Sequence, residues 1–312
     1  MKMDAAVDFL KALAKIRTPF LDVLIQLLTR FGEELIIFGV ICVFYWCLNK
    51  DVAYKLGFAF FASGIAVQGL KVTCRIERPW VIDPSFKPVG TAIKEATGYS
   101  FPSGHTQSAT ALYGTGAFIT KRVWLKAMFV LLALGVGFSR MYLGVHTYFD
   151  VSVALIITFL VAFLVCHFYS VITREGNELA VSIVLAVLSV FLAAYSLILA
   201  ECGHIAWGQI DGCFKTGGAG LGFAVGYYLE RKYIRFNPRE GKLVFQVIKL
   251  IVGIAGALFF KSVLKLIAPE SLILDFIRYF LTILWVMAAF PWLFTKLIAK
   301  MNAKNGSNFK NC

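Results

Sequence analysis

Residues 180–200 read AVSIVLAVLSVFLAAYSLILA, twenty-one positions without one charged side chain. As a helix rising about 1.5 Å per residue, that stretch covers roughly the 30 Å of a bilayer's hydrocarbon core. Apolar runs of comparable length recur on both sides of it, at 31–48, 52–74, 105–120, 123–138, 149–172, 216–229, 243–267 and 272–298. Short polar connections separate them. Hydrophobic residues make up 59% of the 312-residue chain and charged residues only 16%, where a soluble domain carries about 25% charge. The fold class that follows is all-α: a polytopic membrane helical bundle of about nine transmembrane helices. Residues 4–30 mix Lys11, Lys15, Arg17 and Asp22 into an apolar periodicity. That pattern predicts an N-terminal amphipathic helix at the interface and not a cleaved signal peptide.

Four segments result: an interfacial stretch at 1–30, five membrane helices carrying the polar clusters at 31–175, four further membrane helices at 176–300, and a polar, flexible tail at 301–312. The connection 75–104 holds Pro79, Pro84, Pro88 and Pro102 and is too polar for lipid. A formal net charge of +13 does not point to nucleic acid, because the basic residues gather at helix ends and form no stripe with interleaved aromatics. Seven cysteines without a C-x-x-C spacing give neither a zinc site nor a disulfide framework. Cys202 and Cys213 bracket one outer loop, where they either pair in an oxidising compartment or serve as packing residues.

Three polar clusters stand at helix ends on one side of the expected bundle. They are Lys71 with Arg78-Pro79, then Pro102-Ser103-Gly104-His105, then Ser139-Arg140 followed by His146 and Asp150. Singly, each has an ordinary explanation. Ser103 can cap a helix, a lysine near a helix end snorkels, and an Arg-Pro pair ends a helix. Together they supply the parts of a phosphoryl-transfer site. Lys71, Arg78 and Arg140 can neutralise a phosphate and the charge on its equatorial oxygens. Gly104 allows close backbone approach, and the start of the third membrane helix aims N–H groups and positive dipole at an anion. Ser103 adds a hydroxyl donor, while His105 and His146 bring covalent and acid–base chemistry. The spacing from His146 to Asp150 puts both on one helical face, so the carboxylate can hold one ring nitrogen as N–H and leave the other free to attack phosphorus. No carboxylate cluster offers a divalent metal a site, so neither metal nor cofactor is expected.

The pattern K-x6-R-P, P-S-G-H and S-R-x5-H-x3-D resembles the signature of the type 2 phosphatidic acid phosphatase superfamily. Lys71, Arg78, Pro79, Pro102, Ser103, Gly104, His105, Ser139, Arg140, His146 and Asp150 occupy its positions. The resemblance covers about residues 50–165. It implies an integral-membrane, metal-independent phosphatase in which His146 becomes a phosphohistidine, Asp150 orients it and His105 protonates the leaving oxygen. Lys71, Arg78, Ser103, Gly104 and Arg140 would bind the phosphate, and the substrate would be a lipid phosphate monoester or pyrophosphate. Two helices before the first cluster and about four after the core form a layout similar to the glucose-6-phosphatase and sphingosine-1-phosphate phosphatase branches. A soluble sugar phosphate is therefore the alternative substrate. A transporter or flippase that binds phospholipid without hydrolysing it is the alternative from another class, but pure binding has no use for two histidines. Vanadium haloperoxidases share the constellation and resemble soluble enzymes.

Elsewhere ordinary roles are expected. His204, near Glu201, Cys202 and Asp211, reads as a solvated loop histidine, and His167 as a core or interfacial residue. Lys261, Lys265, Asp275 and Arg278 read as a structural ion-pair cluster. Gly217-Gly218-Ala219-Gly220, with Gly222, reads as a close-packing surface and not a phosphate loop. Basic residues such as Lys50, Lys121, Arg122, Arg174, Arg231 and Arg235 fall on the side away from the clusters, and positive-inside bias makes that side cytoplasmic. The clusters then face the cell exterior or a lumen. In intact cells, with the native outer cysteines removed, an impermeant thiol reagent should label Ser85→Cys and spare Asn237→Cys; the reverse pattern inverts the topology.

Overall fold

A computed structural model of the chain describes residues 2–93, 96–240, 243–267 and 271–308, and every regular element among them is helical. The stretch expected as one amphipathic helix is divided into α1 (Lys2–Ala14) and α2 (Pro19–Arg30). The division has a local cause. Thr18 is extended and its hydroxyl accepts from Leu21 N at 3.3 Å, with Pro19 in the first turn, where a missing N–H costs nothing. α1 turns Val7 and Leu10 onto Phe86 of the outer connection, while Phe20, Val23, Leu24 and Leu27 of α2 stay exposed. α3 (Glu34–Val43) leaves α2 at a 42° bend and runs on through a π turn, Phe44–Leu48.

α4 (Lys50–Cys74) starts on the side-chain cap of Asn49 and stops at Arg75, which is left-handed at φ 54°. The single turns α5 (Pro79–Ile82) and α6 (Gly90–Ile93) lie in the proline-rich connection. α7 (Gly104–Ile119), α8 (Val123–Tyr142) and α9 (Tyr148–His167) follow, with one further turn, α10 (Tyr169–Ile172). Next come α11 (Glu178–Glu201), α12 (Asp211–Leu229) and α13 (Leu243–Ile267). A π turn, Trp285–Ala289, joins α14 (Leu272–Leu284) to α15 (Phe290–Asn308). The tail expected to be flexible from residue 301 is thus helical through Asn308; residues 309–312 lie outside the described ones.

Among the described residues six stretches are long and apolar enough to cross a membrane: Lys50–Ile82, Val123–Tyr142, Tyr148–His167, Glu178–Glu201, Leu243–Val263 and Leu272–Ile298. The bent α2–α3 pair would make a seventh. The shortfall from nine falls on α7 and α12, and their surroundings explain it. α7 has only 16 residues, with Thr106, Gln107, Ser108, Thr110 and Thr115 buried, and α12 is rich in glycine. α7 packs against α4, α8 and α9, and α12 against α11, α14 and α4. A helix sheathed by other helices presents little to lipid and has no need of an apolar surface.

The two halves of the chain share one aromatic core. Tyr45, Trp46, Tyr54, Phe58 and Phe61 meet Phe223, Tyr227, Phe290 and Phe294. The π turn at 285–289 shifts carbonyls out of the helical ladder, and two of them are met from α3's extension: Tyr45 Oη donates to Met287 O at 2.7 Å and Trp46 Nε1 to Val286 O at 3.0 Å. At the end away from the clusters, the buried Glu230 carboxylate accepts from Lys50 Nζ at 2.5 Å and from the Tyr54 hydroxyl. The buried Lys249 ammonium donates to Trp46 O at 2.8 Å and Pro238 O at 2.6 Å. Such charges persist in a bundle when their hydrogen bonds are complete.

The glycine run of α12 is a packing surface. A Cβ on Gly218 would collide with Phe276 O, and one on Gly222 would stand 2.6 Å from Phe280 O, so α12 and α14 meet backbone to backbone. Gly218→Ala should lower the melting temperature in detergent, at a cost of about 1–3 kcal/mol, as overpacking does. Gly39→Ala, whose added carbon meets nothing within 4 Å, should be neutral or stabilising. Equal melting temperatures for the two variants would contradict this account of the α12–α14 contact.

Candidate active site

The three clusters converge because each sits where a helix must stop or start. α4 ends in a left-handed residue at Arg75, so Lys71 occupies its last turn and donates to Tyr99 O at 3.1 Å. Arg78 is extended, as the residue before a proline must be, and Pro79 opens α5. Its guanidinium is wrapped by loop carbonyls: Nε donates to Gly98 O at 3.0 Å, Nη2 to Thr97 O at 2.7 Å and Nη1 to Val145 O at 3.0 Å. Nη1 also lies 3.0 Å from His146 Nε2.

α7 begins at Ser103, whose Oγ accepts from Thr106 N at 3.4 Å and from Thr106 Oγ1 at 2.9 Å. Gly104 and His105 then open onto a cavity of about 410 Å³. Arg140, in the last turn of α8, donates from Nη1 to Thr29 Oγ1 on α2 at 2.9 Å. The chain reverses at Gly144, where φ is +79° and a Cβ would stand 2.7 Å from the Phe86 ring, so only glycine fits. The reversal delivers His146 to the cavity wall.

Six of the eight expected site residues line this cavity: Lys71, Arg78, Gly104, His105, Arg140 and His146. Ser103 and Asp150 stand behind it. The Ser103 hydroxyl is committed to the cap of α7, and its N–H donates to Asp150 O at 3.1 Å, joining the starts of α7 and α9. Ser139, also in the signature, turns its hydroxyl into its own helix, onto Val136 O at 2.6 Å.

One expectation needs correction. His146 and Asp150 do not share a helical face, because α9 starts only at Tyr148. Thr147 is its cap, and a capping box pairs Thr147 with Asp150. The Asp150 Oδ2 atom accepts from Thr147 N at 2.7 Å and from Ser100 Oγ at 2.6 Å. It lies 3.5 Å from His146 Nδ1, at the long limit of a hydrogen bond, and Ser100 Oγ lies at the same distance.

Burial, followed by the charges of Arg78, Arg140 and Lys71, holds the His146 pKa well below the ordinary histidine value of 6.5. A lowered pKa keeps the ring unprotonated at every pH above it, so His146 is a neutral base throughout the physiological range.

Several wall residues carry no motif. Gln68 stands one turn before Lys71 on the same face of α4, a spacing that could have found it. Glu33 and Glu34, from the α2–α3 bend, and Gln209 and Asp211, at the start of α12, also line the cavity. No local signal marks them, nor Thr29, which is 111 residues from Arg140 in the chain. Of the ordinary readings, His204 is exposed in its loop, and His167 is exposed at the end of α9, stacked on Phe163. Cys202 and Cys213 are both free. The exposed Cys202 sits past the end of α11, whereas the buried Cys213 donates to Gln68 O. Asp275 pairs with Arg278 at 2.6 Å and with Lys215 at 3.6 Å. Lys261 instead lies over the Tyr279 ring, and Lys265 lines a second outer cavity.

A helical bundle with two histidines and three cations on one cavity wall defines a phosphatase-type site at the end of a membrane protein. Residues 52–174 match the PAP2 superfamily, and residues 214–304 match the transmembrane extension of PAP2 superfamily phosphatases. The chain thus carries a PAP2 superfamily domain followed by that superfamily's transmembrane extension. Undecaprenyl-diphosphatase BcrC of Bacillus subtilis (strain 168) is 27% identical over 176 residues, 54% of this chain and 85% of that protein. Phosphatidylglycerophosphatase B of the same organism is 28% identical over 172 residues, 48% of this chain and 78% of that one. The crystal structure of a transmembrane PAP2-type phosphatidylglycerolphosphate phosphatase from Bacillus subtilis shares 27% identity, covering 55% of this chain and 88% of its own, with a TM-score of 0.46.

The chain has four histidines. In ¹⁵N-histidine spectra the His146 signal, identified by its loss in His146→Ala, should keep neutral-imidazole shifts from about pH 8 down through 6.5. A titration midpoint at or above 6.5 would contradict the electrostatics described here.

Proposed function

We propose that this protein hydrolyses a lipid phosphate monoester or pyrophosphate through a phosphohistidine, without a metal. The observation that carries the reading is the His146 ring, neutral on the cavity wall with Nε2 turned to the Arg78 guanidinium and with Lys71, Arg140 and His105 lining the same space. A phosphate seated there meets three cations, which take the role a metal plays in other phosphatases. The lone pair on His146 Nε2 attacks phosphorus, and the P–O bond to the leaving group breaks as His105, which takes up a proton when the anionic phosphate offsets the neighbouring cations, delivers that proton to the leaving oxygen. Water, deprotonated by His105, then attacks the phosphohistidine, releasing inorganic phosphate and restoring neutral His146. Asp150 orients the nucleophile from behind. Gly104 and the start of α7 bind the phosphate through backbone N–H groups, and Ser103 contributes by fixing that helix start.

The substrate class rests on the membrane setting and on the relatives, whose names are an undecaprenyl diphosphatase and a phosphatidylglycerophosphatase. α7 and α12 cross the membrane inside a sheath of other helices, giving nine spans together with α3 and its π turn. α1 and α2 lie along the interface beside the site, which faces away from the cytoplasm. A panel of long-chain lipid phosphates, short-chain analogues and glucose 6-phosphate, assayed with purified protein in excess EDTA, tests the reading. Long chains should raise kcat/KM, since their binding energy serves the transition state. His146→Ala should lose several orders of magnitude in rate, as loss of a nucleophile does. Activity lost in chelator, or glucose 6-phosphate turned over at least as well as the lipids, would overturn it.

A further inference from the structure

Behind the His146 ring, the nearest partner of the Asp150 carboxylate is not the histidine. Ser100 Oγ donates to Asp150 Oδ2 at 2.6 Å and lies 3.5 Å from His146 Nδ1, the same distance that separates Nδ1 from Oδ2. Ser100 is fully buried, and its own N–H donates to Ile76 O at 2.7 Å. One residue therefore ties the connection that follows α4 to the carboxylate of α9. The hydroxyl has one hydrogen and two lone pairs. With its hydrogen given to Asp150, the oxygen can only accept from the imidazole. Asp150 Oδ2 already holds Thr147 N and Ser100, and Oδ1 has no hydrogen-bond partner.

We propose that Ser100 is a positioning residue for the nucleophile. Its oxygen accepts from His146 Nδ1–H while its hydroxyl proton bonds to Asp150, so serine and carboxylate together fix the ring as the Nδ1–H tautomer. The Nε2 lone pair then faces the cavity wall, where it accepts from Arg78 Nη1 until a phosphate takes that donor's place. As phosphorus bonds to Nε2 the ring becomes cationic. Its Nδ1 proton draws closer to the serine oxygen, and the negative carboxylate stabilises the charge one bond further on. The inference rests on His146 being the nucleophile, and the serine stands outside the Lys-Arg, Pro-Ser-Gly-His and Ser-Arg-His-Asp positions that define the signature.

A double-mutant cycle on purified protein separates positioning from structure. Ser100→Ala should lower kcat about tenfold with KM changed less than about twofold, the size of effect one neutral hydrogen bond carries. In an Asp150→Asn background the same change should cost less than about twofold, because the relay is already broken. Ser100→Cys keeps the side-chain volume with a weak donor, and should fall between wild type and alanine. It carries the test if the alanine variant does not fold, as judged by its melting temperature. Full kcat in Ser100→Ala, or equal losses in both backgrounds, overturns the relay. His146→Ala distinguishes this from failure of the underlying reading. If that variant is inactive while Ser100→Ala is unimpaired, only the serine's role falls; if it stays active, the nucleophile assignment falls with it.

Discussion

The Arg78 guanidinium is the interaction on which the cavity end of the bundle depends. A buried cation near lipid is costly unless its donors are used, and here three are spent on the carbonyls of Thr97, Gly98 and Val145. Those carbonyls belong to two connections that share no regular element. Without the guanidinium, each would leave polar backbone groups inside the protein with nothing to bond. The cation thus folds the loops around itself, and the loops fix it 3.0 Å from His146 Nε2. One planar guanidinium serves all four of these contacts, which suits arginine better than lysine.

Around that centre the protein separates two electrostatic problems. At the cavity end, charge is left open to the space: Lys71, Arg78 and Arg140 line the cavity together with Glu33, Glu34 and Asp211, and the carboxylate of Asp150 is set behind the wall. At the opposite end, charge is compensated group by group, with Glu230 held by Lys50 and Tyr54, and Lys249 held by backbone carbonyls. Compensation fixes a joint and leaves nothing for a ligand.

Much of this was legible in the sequence. The apolar run Leu243–Ile267 begins and ends as the helix does, and the three clusters converge because Pro79, Ser103 and Thr147 fix helix starts by local rules that a sequence displays. What was not legible arises from contacts distant in the chain. Thr29 reaches Arg140 from the N-terminal arm, and Ser100 sits between two residues some 46 and 50 positions away. Periodicity also misled in one respect. A spacing of four between His146 and Asp150 reads as a helical face, yet Thr147 competes as a cap, and the capped geometry is the one that forms. The π turns at Phe44–Leu48, Glu230–Ile234 and Trp285–Ala289 had no composition to announce them. The last of them is met by Tyr45 and Trp46, donors that arrive from the first, some 240 residues away in the chain.

The buried polar face of α7 has a consequence for how the protein is made. Insertion machinery sorts segments one at a time by their affinity for lipid, and a helix bearing Thr106, Gln107, Ser108, Thr110 and Thr115 gains little by leaving it alone. Gln107 is met by Phe60 O and Ser63 Oγ of α4, and Thr106 and Thr110 bond within the start of α7, so the helix is settled only when α4, α8 and α9 pack around it. Because Gly104 and His105, which line the cavity, begin that same helix, the cavity is complete only once the nascent bundle closes. A half-synthesised chain holds no such cavity.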